Sequence, residues 1–487
     1  MNIELKTKAK VAVIGAGPAG LSCAQTLLDL GYQVDIFEVN SKAGGLSRTI
    51  EVMGQLVDLG PHYFRTQVPQ VQQYWDQCTQ GIAMHKVERV SHILYQGKLF
   101  SYPLKGFEAL FKLGFFESVL CVLSYLRSIV LPHKGNTFED WVSNAFGYRL
   151  YNIFFKTYSE KLWGVKCSQL SDQFAKERIK TLNLSKAIKN ALVPDKTGHK
   201  VRSLKAEFIY PKLGIGQVYD QALEQVIKSG GRCFFNHQVD EIVVNNNKVT
   251  GISVSKVEPH QDNESSNAHF TKVGDSEFLE YDYVVSSGIF TDLVPTIKCL
   301  PLETRELSSK LKFRNTILVY LKVDESAGAN LKDNWLYIHS PEVLSGRMCD
   351  YANWSKDMQL GQKEHIVCFE YWAQEIDALW QKDNEALIEQ AKADAIASGI
   401  FKAGSIKEGF VHRLFKSYPM YVDDYAQVMK SITNELDKIA GLYFIGRNGS
   451  FKYNNMDHSI HMGILAAHKI ANKYHGSLWD LNFDGSL

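Results

Sequence analysis

KVAVIGAGPAGLSCAQTLLDLGYQVDIFE, residues 10–38, decides the fold. It reads as an apolar strand, a glycine turn, a helix with apolar residues at helical spacing, and a second strand. Gly15, Gly17 and Gly20 stand in the spacing G-x-G-x-x-G around Pro18 and Ala19, and Glu38 ends the second strand. The first glycine permits a tight turn, the second lets backbone approach a pyrophosphate, and the third allows close contact between helix and strand. Glu38 stands where a carboxylate accepts from a ribose hydroxyl, and the helix start supplies the positive end of a dipole. Glycines alone also serve ordinary turns, but strand, helix and acid together predict a dinucleotide-binding βαβ unit.

Working outward, the chain of 487 residues is long enough for two or three domains. Lysine plus arginine (54) nearly cancels aspartate plus glutamate (53), which argues against nucleic acid as a partner. The eight cysteines are scattered without a C-x-x-C pair or zinc-like spacing, so no metal site is expected and reduced thiols are. The first residues run into the strand without a secretory h-region, from which a cytoplasmic enzyme is expected. The apolar stretch 109–132 is interrupted by Lys112, Glu117 and Arg127, so it is no transmembrane span. It reads as a helix packed in a cap domain or as one resting on a membrane.

The segment from Tyr95 to Leu204 reads as helical, and strands return at RCFFNHQVDEIVV (232–244), where Val239 is expected beside the cofactor. A turn at Asn245 to Asn247 joins the next strand, and 258–275 reads as a loose loop. Alternating stretches between 312 and 425 predict an antiparallel sheet, and LYFIGR (442–447) leads to a helix near Asp457. The predicted fold class is therefore α/β: a Rossmann dinucleotide-binding domain with a helical insertion and an antiparallel β-rich substrate domain. The nucleotide domain comprises 1–90, 206–300 and 429–487, the cap 91–205, and the β-rich domain 301–428.

Gly44 and Gly45, followed by Arg48 and Thr49, resemble the G-G-x-x-R/S-T stretch of glutathione-reductase-type FAD proteins. Gly446, Arg447, Met456 and Asp457 resemble their C-terminal strand and helix, whose positive end could face the flavin. Over nearly its whole length the chain resembles the flavoenzymes grouped around UDP-galactopyranose mutase, protoporphyrinogen oxidase and the amine oxidases. Three segments look most like the mutases: GPHYF (60–64), FFKTYSEKLWG (154–164) and GRNGSFKYNNMD (446–457). The resemblance implies non-covalent FAD held also by Gly60 and His62, with His62 against the flavin N5 edge. It implies an aromatic slot for a uracil from Phe154, Phe155 and Tyr158, and Trp163 walling a sugar pocket. It implies diphosphate contacts from Arg447 and Tyr453, and an approach to substrate by Arg347. Read without the resemblance, the aromatic run is helix core, Arg447 a salt-bridge arginine and His62 a brace for the Pro61 turn. The chain departs from the bacterial mutases after the tryptophan: AKERIKTLNL (175–184) replaces an R-L-P-V-R run, leaving Arg178 and Lys180 nearby.

Two enzyme readings remain open. In one, the flavin acts through N5 on a UDP-sugar, with NAD(P)H as a candidate reductant; in the other it removes a hydride from a small organic substrate. A non-catalytic flavin or nucleotide sensor is a third. Catalytic candidates are His62, Arg347 and Arg447, and the oligomeric state stays open.

Overall fold

The computed structural model describes residues 9–172, 207–259, 270–328, 331–422 and 424–481. Three distant stretches of chain build one parallel five-stranded sheet, in the order Leu442–Phe444, Tyr283–Ser286, Lys10–Ile14, Gln33–Glu38, Arg232–Phe235. Its central strand is buried on both faces, as a parallel sheet covered by helices requires. The helices Pro18–Asp29 and Met456–Ile470 pack closely against each other there: a Cβ on Gly463 would stand 2.3 Å from the Ala19 carbonyl oxygen. Ser22 Oγ completes the contact by donating to the Ile460 carbonyl at 3.0 Å. The predicted dinucleotide unit and its C-terminal completion are both present.

A three-stranded antiparallel sheet, His237–Asn245, Lys248–Pro259 and Phe270–Glu280, extends this domain. Asn246 and Asn247 turn its first hairpin with φ of 50° and 56°, a conformation asparagine tolerates better than most residues. The expected loop over 258–275 is partly strand, since residues from 270 onward pair with the preceding strand. Polar composition conceals it, because this strand leaves almost every side chain in water.

The second large sheet has seven strands, in the order Ile406–Pro419, Phe313–Val323, His365–Ala373, Arg347–Asp350, Trp335–Ile338, Ser91–Tyr95, Lys98–Ser101. All neighbours are antiparallel except Trp335–Ile338 and Ser91–Tyr95, which are parallel. The two strands at 91–101 correct the expected boundary of the helical cap. Each is too short to display a period, and the Gln96-Gly97 turn between them does not stand out from the helical stretch that follows.

The cap itself begins with helices Gly106–Leu113 and Phe115–Val130, then Phe138–Phe146, Tyr148–Tyr151, a π turn at Asn152–Lys156, and Thr157–Trp163. Thr137 and Asp140 form a capping box on Phe138–Phe146. Lys161 fastens the cap to the large sheet by donating to the Ile338, Ser340 and Ser345 carbonyls at 2.9–3.1 Å. Arg314 does the same from the other side, reaching the Leu162 and Trp372 carbonyls and the Asp377 carboxylate. Arg178 and Lys180 lie outside the described residues. No helix among the described residues is long and apolar enough to cross a membrane.

Candidate functional site

A cavity of about 1190 Å³ runs from the glycine turn of the parallel sheet to the inner face of the seven-stranded sheet. Its first half is the dinucleotide cradle. Gly15, Gly17, Pro18, Ala19, Glu38, Gly45, Gly60 and Val239 all line it. Gly15 has φ of 96°, and a Cβ there would lie 2.5 Å from Ser287 Oγ, so the turn closes only around glycine. Gly20 does not face the cavity: its absent Cβ makes room for the Gly15 carbonyl, 1.9 Å from where that carbon would be. Gly17 is different again, because no protein atom lies closer than 3.7 Å to its would-be Cβ. The space it leaves is cavity.

Glu38 is buried at the end of its strand. Oε2 accepts from the Ala16 amide at 2.8 Å, and Oε1 accepts from the Asn40 amide at 2.9 Å and its side chain at 2.7 Å. These bonds orient both oxygens and leave lone pairs for further donors. Gly44 and Arg48 stand behind the wall, with Gly44 donating to the Ala16 carbonyl at 2.9 Å. Arg48 is buried and its Nε has no partner among the described residues. Asn448 Oδ1 and Asn454 Oδ1, on cavity-lining residues, are also buried without a partner among the described residues. The two orphaned acceptors on the cavity wall fit a ligand that carries hydrogen-bond donors.

The other half of the cavity gathers His62, Arg347, Glu370, Tyr418, Arg447 and Tyr453. Arg347 and Glu370 face each other across adjacent strands in a bidentate pair, with contacts of 2.8 and 2.5 Å. Burial works against the Arg347 charge, but the Glu370 carboxylate outweighs it and holds the guanidinium well above its ordinary range. Tyr418 and Tyr453 stack on each other with centroids 5.3 Å apart, and the Arg447 guanidinium sits beside the pair, 5.2 and 5.3 Å from the two centroids. Its Nε and Nη2 donate to the Asn454 carbonyl at 2.9 and 2.6 Å and its Nη1 to the Ser417 carbonyl at 3.3 Å, so each guanidinium nitrogen is tied to the chain on one side. His62 Nε2 donates to the Leu59 carbonyl at 3.1 Å. Burial, then the Arg447 and Arg347 charges, pull its pKa down to about 4. His62 is therefore neutral at physiological pH.

The helix Met456–Ile470 begins at this cavity, and Asn455 and His458 form its capping box. Met456 and Asp457 line the wall, and burial raises the Asp457 carboxyl to about 6. Gly446 turns into the site with φ of 72°, its would-be Cβ 2.9 Å from Ala19.

The aromatic run is placed otherwise than expected. Phe154, Phe155, Tyr158 and Trp163 are not cavity-lining residues. Phe154 is buried against Phe100 and Tyr95, and Phe155 stacks on Phe146 at 5.0 Å. Trp163 is buried beside Tyr453, and Tyr158 meets Tyr337 edge to face at 5.4 Å. Among the rings that reach the cavity besides Tyr418 and Tyr453 are Tyr63, Tyr102, Trp335 and Tyr337, none of which the sequence singled out for this role. Glu370 and Tyr418 were missed as well. Both sit on strands of the large sheet, and His365–Ala373, which carries Glu370, is buried throughout and reads as core.

Residues 13–78 match the model of a NAD(P)-binding Rossmann-like domain. Over its length the chain superposes on the crystal structure of reduced UDP-galactopyranose mutase with a TM-score of 0.79, covering 96% of this chain and 97% of that one at 22% identity. The fold is therefore the one seen in that mutase structure, built on a Rossmann-like nucleotide-binding domain. Within it, a probable UDP-galactopyranose mutase of Klebsiella pneumoniae is 30% identical over 170 residues, 33% of this chain and 42% of that protein. A 1-hydroxycarotenoid 3,4-desaturase of Flavobacterium sp. (strain P99-3) is 26% identical over 269 residues, 51% of this chain and 54% of that protein. The chain thus matches about half the length of these relatives. One is named a probable mutase and the other a desaturase, so these similarities do not choose the reaction.

Proposed function

We propose that the chain is an FAD-dependent enzyme acting on a nucleotide diphosphate sugar, of UDP-galactopyranose-mutase type. The observation that carries this reading is the continuity of one cavity from Gly17 and Glu38 to Arg447, Arg347, Tyr418 and Tyr453. FAD fits the first half, where Gly17 leaves room for a pyrophosphate and Glu38 offers an acceptor. When bound, FAD supplies a hydride acceptor or, once reduced, an electron-rich N5. The residues of this chain position the second ligand. Arg447 keeps N–H groups beyond those given to the Asn454 and Ser417 carbonyls and sits beside two phenols, a suitable seat for a diphosphate. Arg347 is already balanced by Glu370, so its part is to orient more than to attract. Trp335 and Tyr337 give the base a surface to stack on, with Tyr158 behind Tyr337. Neutral His62 donates one hydrogen bond to the chain and cannot act as a cationic acid at neutral pH.

The test is calorimetry with UDP on the flavin-loaded protein. Arg447→Ala should retain flavin and bind UDP about 10- to 150-fold more weakly, the loss of a charge-assisted contact of roughly 1.5–3 kcal/mol. Arg447→Lys should recover part of this. Absence of UDP affinity in the wild type, or unchanged affinity in Arg447→Ala, overturns the reading. Mutase activity should further depend on prior reduction by dithionite or NAD(P)H.

A second reading is favoured by the desaturase similarity over half the chain and by the tyrosines and tryptophan on the cavity wall. In it the chain removes a hydride from an apolar organic substrate.

A further inference from the structure

The first two cap helices carry the largest run of exposed apolar side chains in the described residues. Phe111 is 89% exposed, Phe115 77%, Phe116 82% and Val130 75%, and Phe107, Val119, Leu120, Val122, Leu123, Leu126, Ile129 and Leu131 are exposed with them. Soluble chains rarely leave so many large apolar groups together in water. Gly114, with φ of 92°, separates the helices, and Ser118 Oγ donates to the Leu110 and Gly114 carbonyls, which fixes the corner. The exposed residues are therefore presented by an ordered hairpin.

We propose that this hairpin docks the protein on an anionic lipid bilayer, lying in the plane of the interface. Two features select lipid over a second copy of the chain. The first is breadth: at 100° per residue the exposed positions of Phe115–Val130 cover about half the helix circumference, whereas a seam against one protein partner is nearer 100° wide. A fluid apolar phase can cover the whole arc. The second is charge. Residues 98–134 contain Lys98, Lys105, Lys112, Arg127 and Lys134 against Glu108 and Glu117. Both acids are occupied, Glu108 by Lys112 at 2.6 Å and Glu117 by Arg149. Lys105, Arg127 and Lys134 are exposed and have no ion pair among the described residues. Such a rim repels its own twofold copy and attracts anionic headgroups. The helix of 16 residues is about 24 Å long, short of a hydrocarbon core of roughly 30 Å, so it rests in the membrane surface. Tyr102, exposed four residues before the first helix, also lines the main cavity and packs on Tyr337 at 4.5 Å. Docking would bring that mouth to the headgroup layer.

The experiment is flotation of the flavin-loaded full chain with vesicles of phosphatidylcholine alone or mixed with phosphatidylglycerol. Wild type should float with the mixed vesicles, at least about tenfold less with phosphatidylcholine alone, and be released by raised salt. The triple variant Phe111→Ser, Phe115→Ser, Phe116→Ser should stay at the bottom of the gradient with an unchanged melting temperature, since those side chains are exposed. In an otherwise wild-type chain, Phe116→Trp should be quenched by brominated lipid. Three outcomes overturn the proposal: no wild-type flotation with either vesicle, flotation of the triple variant equal to wild type, or an unquenched tryptophan. Light scattering that finds a wild-type dimer and a monomeric triple variant, without flotation, assigns the face to a second copy instead.

Discussion

Gly17 and Gly20 look alike in the fingerprint and differ in what they meet. A methyl at Gly20 collides with the Gly15 carbonyl, whereas a side chain at Gly17 enters only the cavity. Gly20→Ala should therefore lower stability by about 1–3 kcal/mol in denaturant titration, the usual cost of overpacking. Gly17→Val should melt like the flavin-free wild type yet release no flavin on acid precipitation. A Gly17→Val protein that keeps its flavin contradicts the cradle proposed around that glycine. These glycines, Glu38 and the segment from Gly446 to Asp457 were legible because each must serve a ligand or a turn in its own local stretch. Glu370, Tyr418, Trp335 and Tyr337 were not, since they become site residues only when a buried strand is laid against the cradle.

The large sheet shows how an element carries this chemistry. Arg347 and Glu370 are directly opposite on neighbouring strands, and Glu370 is 1% exposed. Deleting one partner strands a charge in a nearly dry place, which costs about 3–5 kcal/mol, while replacing both with apolar residues is far milder. Glu370→Leu should thus lose several kcal/mol in chemical denaturation, and Arg347→Met with Glu370→Leu should regain most of it. A loss in the double variant equal to the sum of the two single-variant losses would show that the pair is not coupled. At this scale, long patterned strands such as Phe313–Val323 were readable, and the short pair at 91–101 was not. Four or five residues do not establish a period, and their identity as strands comes from the neighbour they pair with.

Asp58 holds the whole molecule together at one point. Its carboxylate accepts from Thr49 at 2.6 Å, from Tyr210 and from the Ile215 amide at 3.2 Å, and its carbonyl accepts from Tyr320 and Tyr351. The nucleotide domain and the large sheet meet in those bonds. Burial, partly offset by the hydrogen bonds, raises the Asp58 carboxyl to about 7. Its folded pKa lies above the unfolded value near 3.9, so its stabilising protonation is complete below about pH 4 and is lost as pH rises to about 7. His62 acts in the reverse sense, losing stability as pH falls from about 6.5 to about 4. Between about pH 4 and 7 the melting temperature of the flavin-free wild type, relative to that of Asp58→Asn, should therefore fall as pH rises, because only the wild type loses the Asp58 contribution. Asp350, also raised to about 7, is common to both proteins and cancels in that difference. A slope identical in Asp58→Asn would locate the effect elsewhere. The division of the parallel sheet among distant stretches has a last consequence, for the newborn chain. Strand Leu442–Phe444 closes beside Tyr283–Ser286, and Arg447 and the final helix arrive only after it. At about 5–20 residues per second, roughly 20 to 90 seconds separate the ribosome's passage over Gly17 from its passage over Gly446. Through that interval the glycine turn waits unfinished, and whatever keeps it from misassembly must come from the strands already made.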